Sequence, residues 1–319
     1  MHAIVTGGLG FIGSHTVEAL LGAGWDVTIV DNLSSNVVDH HHFRNDARIV
    51  RSTVQAAFAG LRTADLVIHL ASIVGPLRVA QYSGDIEAEI LQDTRTVLDY
   101  CLKFGVRLLF GSSSDVYACA GWLREEDEIR SWGTTTPRAA YASGKHKSEQ
   151  LIAQHCTKAG LPYTCVRFFN VAGPRQSGKG GFVIPRFIAS ALHGTPLQVH
   201  GSGRQLRTFL HSREAATALK LLAEATTPPP ILNIGNPKNV LRIIDLARLV
   251  VHILRSSSPI VSVDPAVCYG ARFDDGFEKL PRIDLAIEAL RWLPALTVED
   301  IILDAAEAMS IGIGASNAS

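Results

Sequence analysis

Short apolar runs alternate with longer stretches of helical periodicity through the first half of the chain. Ile4-Val5, Val27-Thr28-Ile29-Val30, Arg48-Ile49-Val50-Arg51, Asp65 to Ser72, Arg107 to Phe110 and Tyr163 to Phe169 each read as a short strand. Between them, Ile86 to Phe104 sets Ile90, Leu91, Thr94, Val97, Leu98 and Cys101 at helical spacing, and Gly105 stops the run. A second long helix is predicted from near Arg138 to about Lys158, where Gly160-Leu161-Pro162 breaks it. Strand and helix in alternation predict a parallel, doubly wound α/β sheet with right-handed crossovers. Ligands are then expected at the carboxyl ends of the strands.

Beyond Asn170 the pattern loosens. Gly173-Pro174 and Ser177 to Gly181 read as a flexible loop, and Gly201 to Arg207 as a glycine-flanked turn with two arginines. Helices are expected near 184–193, 215–225, 244–254 and 283–292, with short strands at 197–200 and 231–235. Residues 119–137 read as a long loop over the site.

The first turn carries the clearest chemistry. A strand enters Thr6-Gly7-Gly8-Leu9-Gly10-Phe11-Ile12-Gly13, and a helical pattern leaves it. Glycine lets the backbone turn tightly and approach a pyrophosphate, because no Cβ intervenes. The helix that follows directs free N–H groups and its positive dipole end at that anion. Asp31, closing the second strand about 20 residues on, is placed to accept the ribose hydroxyls and to repel a 2′-phosphate. The expected cofactor is therefore NAD. The fold is read as a Rossmann-like doubly wound parallel sheet over 1–169 that binds NAD. A smaller mixed α/β part over 170–319 is expected to bind substrate, with some segments returning to the core.

Composition narrows the partners. The chain has 319 residues, 47% of them hydrophobic, enough for a sizeable core. Lys plus Arg and Asp plus Glu are 30 each, which argues against general nucleic-acid binding. No apolar run has the length of a membrane span, and the first strand starts at once with no signal peptide before it, so a cytoplasmic protein is expected. The five cysteines show no metal or disulfide spacing and read as reduced thiols. His40-His41-His42 are adjacent, so their side chains point in different directions, and they read as a solvated loop rather than a metal site.

Tyr141 and Lys145 stand four apart on a predicted helix and share one face. A lysine there is expected to favour tyrosinate, so that Tyr141 takes or returns a proton at a sugar hydroxyl. Ser113, just past a strand end, can hydrogen-bond the same oxygen.

These stretches resemble the extended short-chain dehydrogenase/reductase family, in its group of nucleotide-sugar epimerases, dehydratases and decarboxylases. The likeness runs through Thr6 to Gly13, His69-Leu70-Ala71-Ser72, Ser112 to Tyr117, Tyr141-Ala-Ser-Gly-Lys145, Phe168 to Pro174, Gly201 to Phe209 and, more loosely, Tyr269 to Asp275. The resemblance implies Ser113, Tyr141 and Lys145 as the catalytic set. It implies Gly7, Gly10, Phe11, Ile12, Gly13, Asp31, Asn32, Leu70, Ala71, Tyr141 and Lys145 as NAD contacts. It assigns Ser114, Asp115, Asn170, Val183, Gln205 and Arg207 to a nucleotide-diphosphate sugar.

In the family, a hydride leaves sugar C4 for NAD⁺ while the tyrosinate takes the hydroxyl proton. The 4-keto sugar is then re-reduced, dehydrated or decarboxylated, and NAD stays bound. The resemblance further implies a homodimer built on the helices 86–104 and 138–158. Ser113 followed by Ser114-Asp115, in place of an Asp-Glu pair, argues against dehydration. Epimerases commonly carry Ser-Ser-Ser before Val-Tyr, and uronate decarboxylases resemble the Pro137 to Tyr141 stretch. A 4-epimerase ranks first, a uronate decarboxylase a close second, and a non-catalytic NAD-binding sensor or scaffold is the alternative of another class. Three departures argue against a usual UDP-glucose substrate and suggest a specialised pathway or an altered nucleotide preference. Ser52-Thr53-Val54 stands where the family often has an acid for the adenine. Ile90-Leu91-Gln92-Asp93-Thr94 replaces Asn-Val-x-Gly-Thr. Glu278-Lys279-Leu280-Pro281 replaces an Arg-Arg before proline, so weaker phosphate binding is expected there.

Overall fold

The computed structural model describes residues 1–39, 41–133, 135–269 and 278–316. Seven strands form the central sheet: β1 (His2–Thr6), β2 (Asp26–Asp31), β3 (Arg48–Arg51), β4 (Leu66–His69), β5 (Arg107–Ser113), β6 (Tyr163–Phe168) and β7 (Ile231–Ile234). Their order is β7-β6-β5-β4-β1-β2-β3, and every pairing is parallel. The order reverses between β1 and β4, which opens a crevice at their carboxyl ends. β4 is buried along its whole length, as a strand covered on both faces must be. The last strand, β7, comes from the C-terminal part and pairs with β6.

Helix α1 (Phe11–Gly22) leaves the glycine turn. Helices α2 (Ile86–Phe104) and α3 (Pro137–Ala159) have the lengths their periodicity predicts. Each has a distinct start and stop. The Asp85 carboxylate accepts from Ala88 N at 3.0 Å, and the Thr136 hydroxyl accepts from Ala139 N at 3.2 Å. Gly105 and Gly160 end them in the left-handed region, at φ 68 and 65°. The two helices pack side by side. A Cβ on Gly144 would lie 3.2 Å from Glu87 Cα, so glycine permits the approach.

A second core joins the helices Val183–Leu192, Ile243–Ile253 and Val298–Ser316 through Ile184, Phe187, Leu246, Val250, Ile301 and Ile302. The last of these helices has no counterpart among the elements read from the sequence. Residues 119–137 are not loop throughout, because Gly121–Leu123 pairs in parallel with Lys279–Pro281. That pairing carries Lys279 from the far end of the chain to the Asp115 carboxylate. Among the described residues, no helix is long and apolar enough to cross a membrane.

Candidate active site

The glycine turn is built as its spacing requires. Gly7 has φ +67°, and a Cβ on it would stand 2.9 Å from Ala71 N. A Cβ on Gly13 would fall 2.0 Å from Gly7 O, inside the closed turn. Gly10 N donates to Gly7 O at 3.0 Å, and Ser14 N to Gly10 O at 2.9 Å, which closes the turn and starts α1. Thr6 stitches this turn to the end of β4. Its hydroxyl accepts from Leu70 N and Ala71 N, both at 3.1 Å, and meets His69 Nδ1 at 2.7 Å. Burial, with the charge of Lys145, pulls His69 down to about 3, so its ring is neutral at ordinary pH.

One cavity of about 1370 Å³ runs along this crevice. It contains every residue assigned from the sequence. Its lining includes Asp31 and Asn32 at the end of β2, the glycine turn with Gly7, Gly10, Phe11, Ile12 and Gly13, and Leu70 and Ala71 just past β4. Ser113, Ser114, Asp115, Tyr141 and Lys145 line it too, as do Asn170, Val183, Gln205 and Arg207 from the C-terminal part. The Asp31 carboxylate accepts from Leu9 N at 3.0 Å and Leu33 N at 2.8 Å, so it is fixed at the tip of β2. Val183 begins the helix Val183–Leu192, and Arg207 Nη1 donates to Leu206 O at 2.8 Å.

The donor set fits a dinucleotide. The glycine floor has no room for Cβ atoms, Asp31 is a fixed acceptor, and the buried Ser72 Oγ has no protein partner among the described residues. Gly7 and Gly10 would face the pyrophosphate, Asp31 the adenosine ribose, and Tyr141 and Lys145 the nicotinamide half.

Ser113 ends β5, and its Oγ accepts from Asp115 N at 3.1 Å. Tyr141 lies in the first turns of α3 and is hydrogen-bonded to Ser113. The expected effect of Lys145 on this phenol is corrected here. Burial pushes Tyr141 up, and what opposes it is the Ser113 hydrogen bond and the charge of Arg138. Lys145 instead donates to Gly111 O at 2.7 Å and sits over the Phe110 ring at 4.8 Å. It is 3% exposed, and burial pulls it down to about 8.

Several groups at the site escaped the sequence reading. Asp115 is held by two cations. Arg138 grips it in a fork, Nε to Oδ2 at 3.1 Å and Nη2 to Oδ1 at 3.0 Å, and Lys279 Nζ donates to Oδ1. Lys279 thus serves Asp115 and is not among the residues lining the cavity, contrary to its expected place as a phosphate ligand. Glu278 is likewise occupied, accepting from Leu206 N at 2.9 Å. Arg138 was legible as a neighbour of Tyr141 one turn away; nothing in local spacing marks Lys279. Below the catalytic group, Glu149 accepts from Ser112 Oγ at 2.5 Å and from Arg167 Nε and Nη2 at 3.0 and 2.7 Å. This buried pair ties β5, α3 and β6 together. No metal-binding group of His, Cys, Asp and Glu occurs among the described residues. From Gly270 to Asp275 the loosely matching stretch lies outside them, as does His40.

The model of the NAD dependent epimerase/dehydratase family matches residues 3–235. The chain is 34% identical over 284 residues to the UDP-N-acetyl-alpha-D-glucosaminuronate decarboxylase of Bacillus cytotoxicus, covering 87% of each. It is 29% identical over 306 residues to UDP-glucuronic acid decarboxylase 1 of Arabidopsis thaliana, covering 94% of this chain and 68% of that one. Among solved structures it is similar to a UDP-N-acetylglucosamine 4-epimerase from Methanobrevibacter ruminantium M1, in complex with UDP-N-acetylmuramic acid. That likeness has a TM-score of 0.84, 26% identity and 98% coverage of both chains. The crevice, its glycine floor and these matches lead to one conclusion: the chain belongs to the NAD-dependent epimerase/dehydratase family, and NAD is its cofactor.

Proposed function

We propose that the protein is an NAD-retaining nucleotide-uronate decarboxylase that works through a 4-keto sugar. The observation that carries this reading is the cluster at Asp115. Two cations, Arg138 and Lys279, meet one carboxylate two residues beyond Ser113. Arg138 lines the cavity together with Ser113 and Asp115, and its guanidinium suits a sugar that brings its own carboxylate. The relatives of 34 and 29% identity, both decarboxylases of UDP-uronates by name, support it further.

The bound cofactor supplies the hydride acceptor and later the donor. The protein's own groups do the rest. Ser113 and Tyr141 hold the C4 oxygen, and Tyr141 takes its proton as C4 is oxidised, acting in the phenolate form that the Ser113 hydrogen bond and the Arg138 charge favour against burial. The carboxylate is then β to a ketone. The C5–C6 bond breaks, CO₂ leaves, and the electron pair passes into an enolate whose oxygen lies against Ser113 and Tyr141. One proton is taken up at C5, and re-reduction at C4 gives the pentose.

A 4-epimerase is the second reading. It is favoured by Ser112-Ser113-Ser114 before Val116-Tyr117 and by the 26% identical epimerase. Chromatographic separation with mass spectrometry and NMR of products from UDP-glucuronate, its N-acetylamino counterpart and the neutral UDP-hexoses decides between them. CO₂ with a UDP-pentose from a uronate is the expected result. Epimers of neutral sugars without CO₂ from any uronate would overturn it.

A further inference from the structure

Lys279 is buried behind the cavity wall. Its side chain is 4% exposed, that of Asp115 13% and that of Arg138 24%, and of the three only Asp115 and Arg138 line the cavity. Asp115 therefore bridges a buried cation and one that faces the crevice. Its Oδ1 accepts from both, from Arg138 Nη2 at 3.0 Å and from Lys279 Nζ, while Oδ2 accepts from Arg138 Nε at 3.1 Å. Its main chain is fixed beside the reacting serine, since Asp115 N donates to Ser113 Oγ at 3.1 Å. The backbone on either side of Lys279 is pinned to the strand Gly121–Leu123. Gly121 N donates to Glu278 O at 2.9 Å, and Arg282 N to Leu123 O at 2.8 Å. A buried ammonium is costly unless it is paired. Burial pulls Lys279 down, and the carboxylate in contact with it keeps it charged.

We infer that Lys279 is a positioning residue of the uronate site: as a second counter-ion of Asp115, it allows Arg138 to be shared with the carboxylate of the bound sugar.

This role rests on the uronate reading proposed above and adds the residue that sets its selectivity. A partly buried carboxylate with one cation holds that cation fully, so an anionic ligand must compete for it. With Lys279 in contact, Asp115 stays paired while the Arg138 fork opens toward the sugar. Lys279 acts through Asp115 and not on the reacting atoms.

Calorimetry on the NAD-loaded Tyr141→Phe protein, in which turnover is slowed, compares UDP-glucuronate with UDP-glucose, which differ only at C6. The parent should prefer UDP-glucuronate. Adding Lys279→Met should lower that preference roughly tenfold, through weaker UDP-glucuronate binding, with UDP-glucose and NAD affinities unchanged. Adding Asp115→Asn to Lys279→Met removes the charge that claims Arg138 and should restore the preference. A merely structural lysine would weaken both nucleotides together and gain nothing from Asp115→Asn. A parent without preference for UDP-glucuronate overturns the uronate reading, and this role with it. Where the parent has that preference, its retention in Lys279→Met, an equal loss of both nucleotides, or a loss that Asp115→Asn does not restore overturns the role of Lys279 alone.

Discussion

Acid should loosen this fold at His69 in particular. The ring is 2% exposed at the end of β4 and is held by the Thr6 hydroxyl. Burial and the nearby Lys145 charge lower its pKa from 6.5 to about 3. The folded state therefore binds this proton less readily than the unfolded chain does. The contribution to stability is fully present above the unfolded value and is lost as pH falls from there toward the folded one. At about pH 5 an unfolded imidazole gains roughly 2 kcal/mol from protonation that the buried ring forgoes. Asn in place of His69 keeps an acceptor for Thr6 and removes the titration. Urea unfolding of both proteins at about pH 7 and about pH 5 separates the effect, since all other groups cancel in the double difference. The wild type should lose about 2 kcal/mol more than His69→Asn over that interval. Equal losses would refute a neutral, buried His69. Because Leu70 and Ala71 follow this residue on the crevice floor, NAD affinity should fall over the same interval in the wild type alone.

Other substitutions test neighbouring parts of the account. Gly13→Ala puts a Cβ onto Gly7 O and should weaken NAD binding about 10- to 100-fold, measured by calorimetry, with the fold retained by circular dichroism. Glu149→Gln strands the Arg167 guanidinium in the interior and should cost about 3–5 kcal/mol in urea unfolding. Arg138→Gln reduces the positive charge at Asp115 and should raise KM for a UDP-uronate roughly tenfold or more, while leaving NAD affinity unchanged. Tyr141→Phe should lower kcat by about 10²–10⁴-fold with NAD still bound.

The parts legible in the sequence are those set by local chemistry. Strand β4 announces itself because a strand covered on both faces must be apolar throughout. The glycine turn is legible because its conformation is specific to glycine at Gly7 and its spacing to the close approach at Gly13. Tyr141 and Lys145 share a face by helical spacing alone. What escaped depends on groups far apart in sequence. Lys279 reaches Asp115 only because Lys279–Pro281 pairs with Gly121–Leu123, a three-residue strand inside a stretch rich in turn residues. The direction of the Tyr141 shift needed the actual burial of the phenol, which spacing to Lys145 does not supply. The helix Val298–Ser316 carries Ile301, Ile302, Ala305 and Ala306 on one side, a pattern that could have been read.

The central claim is that C4 of the sugar is oxidised and re-reduced within one binding event on retained NAD. UDP-glucuronate deuterated at C4, turned over by the protein in the presence of excess unlabelled NADH, tests it directly. The account predicts a product that keeps its deuterium at C4, with none appearing in the added nucleotide. Deuterium in the free NADH pool, or a product carrying hydrogen at C4, would contradict it.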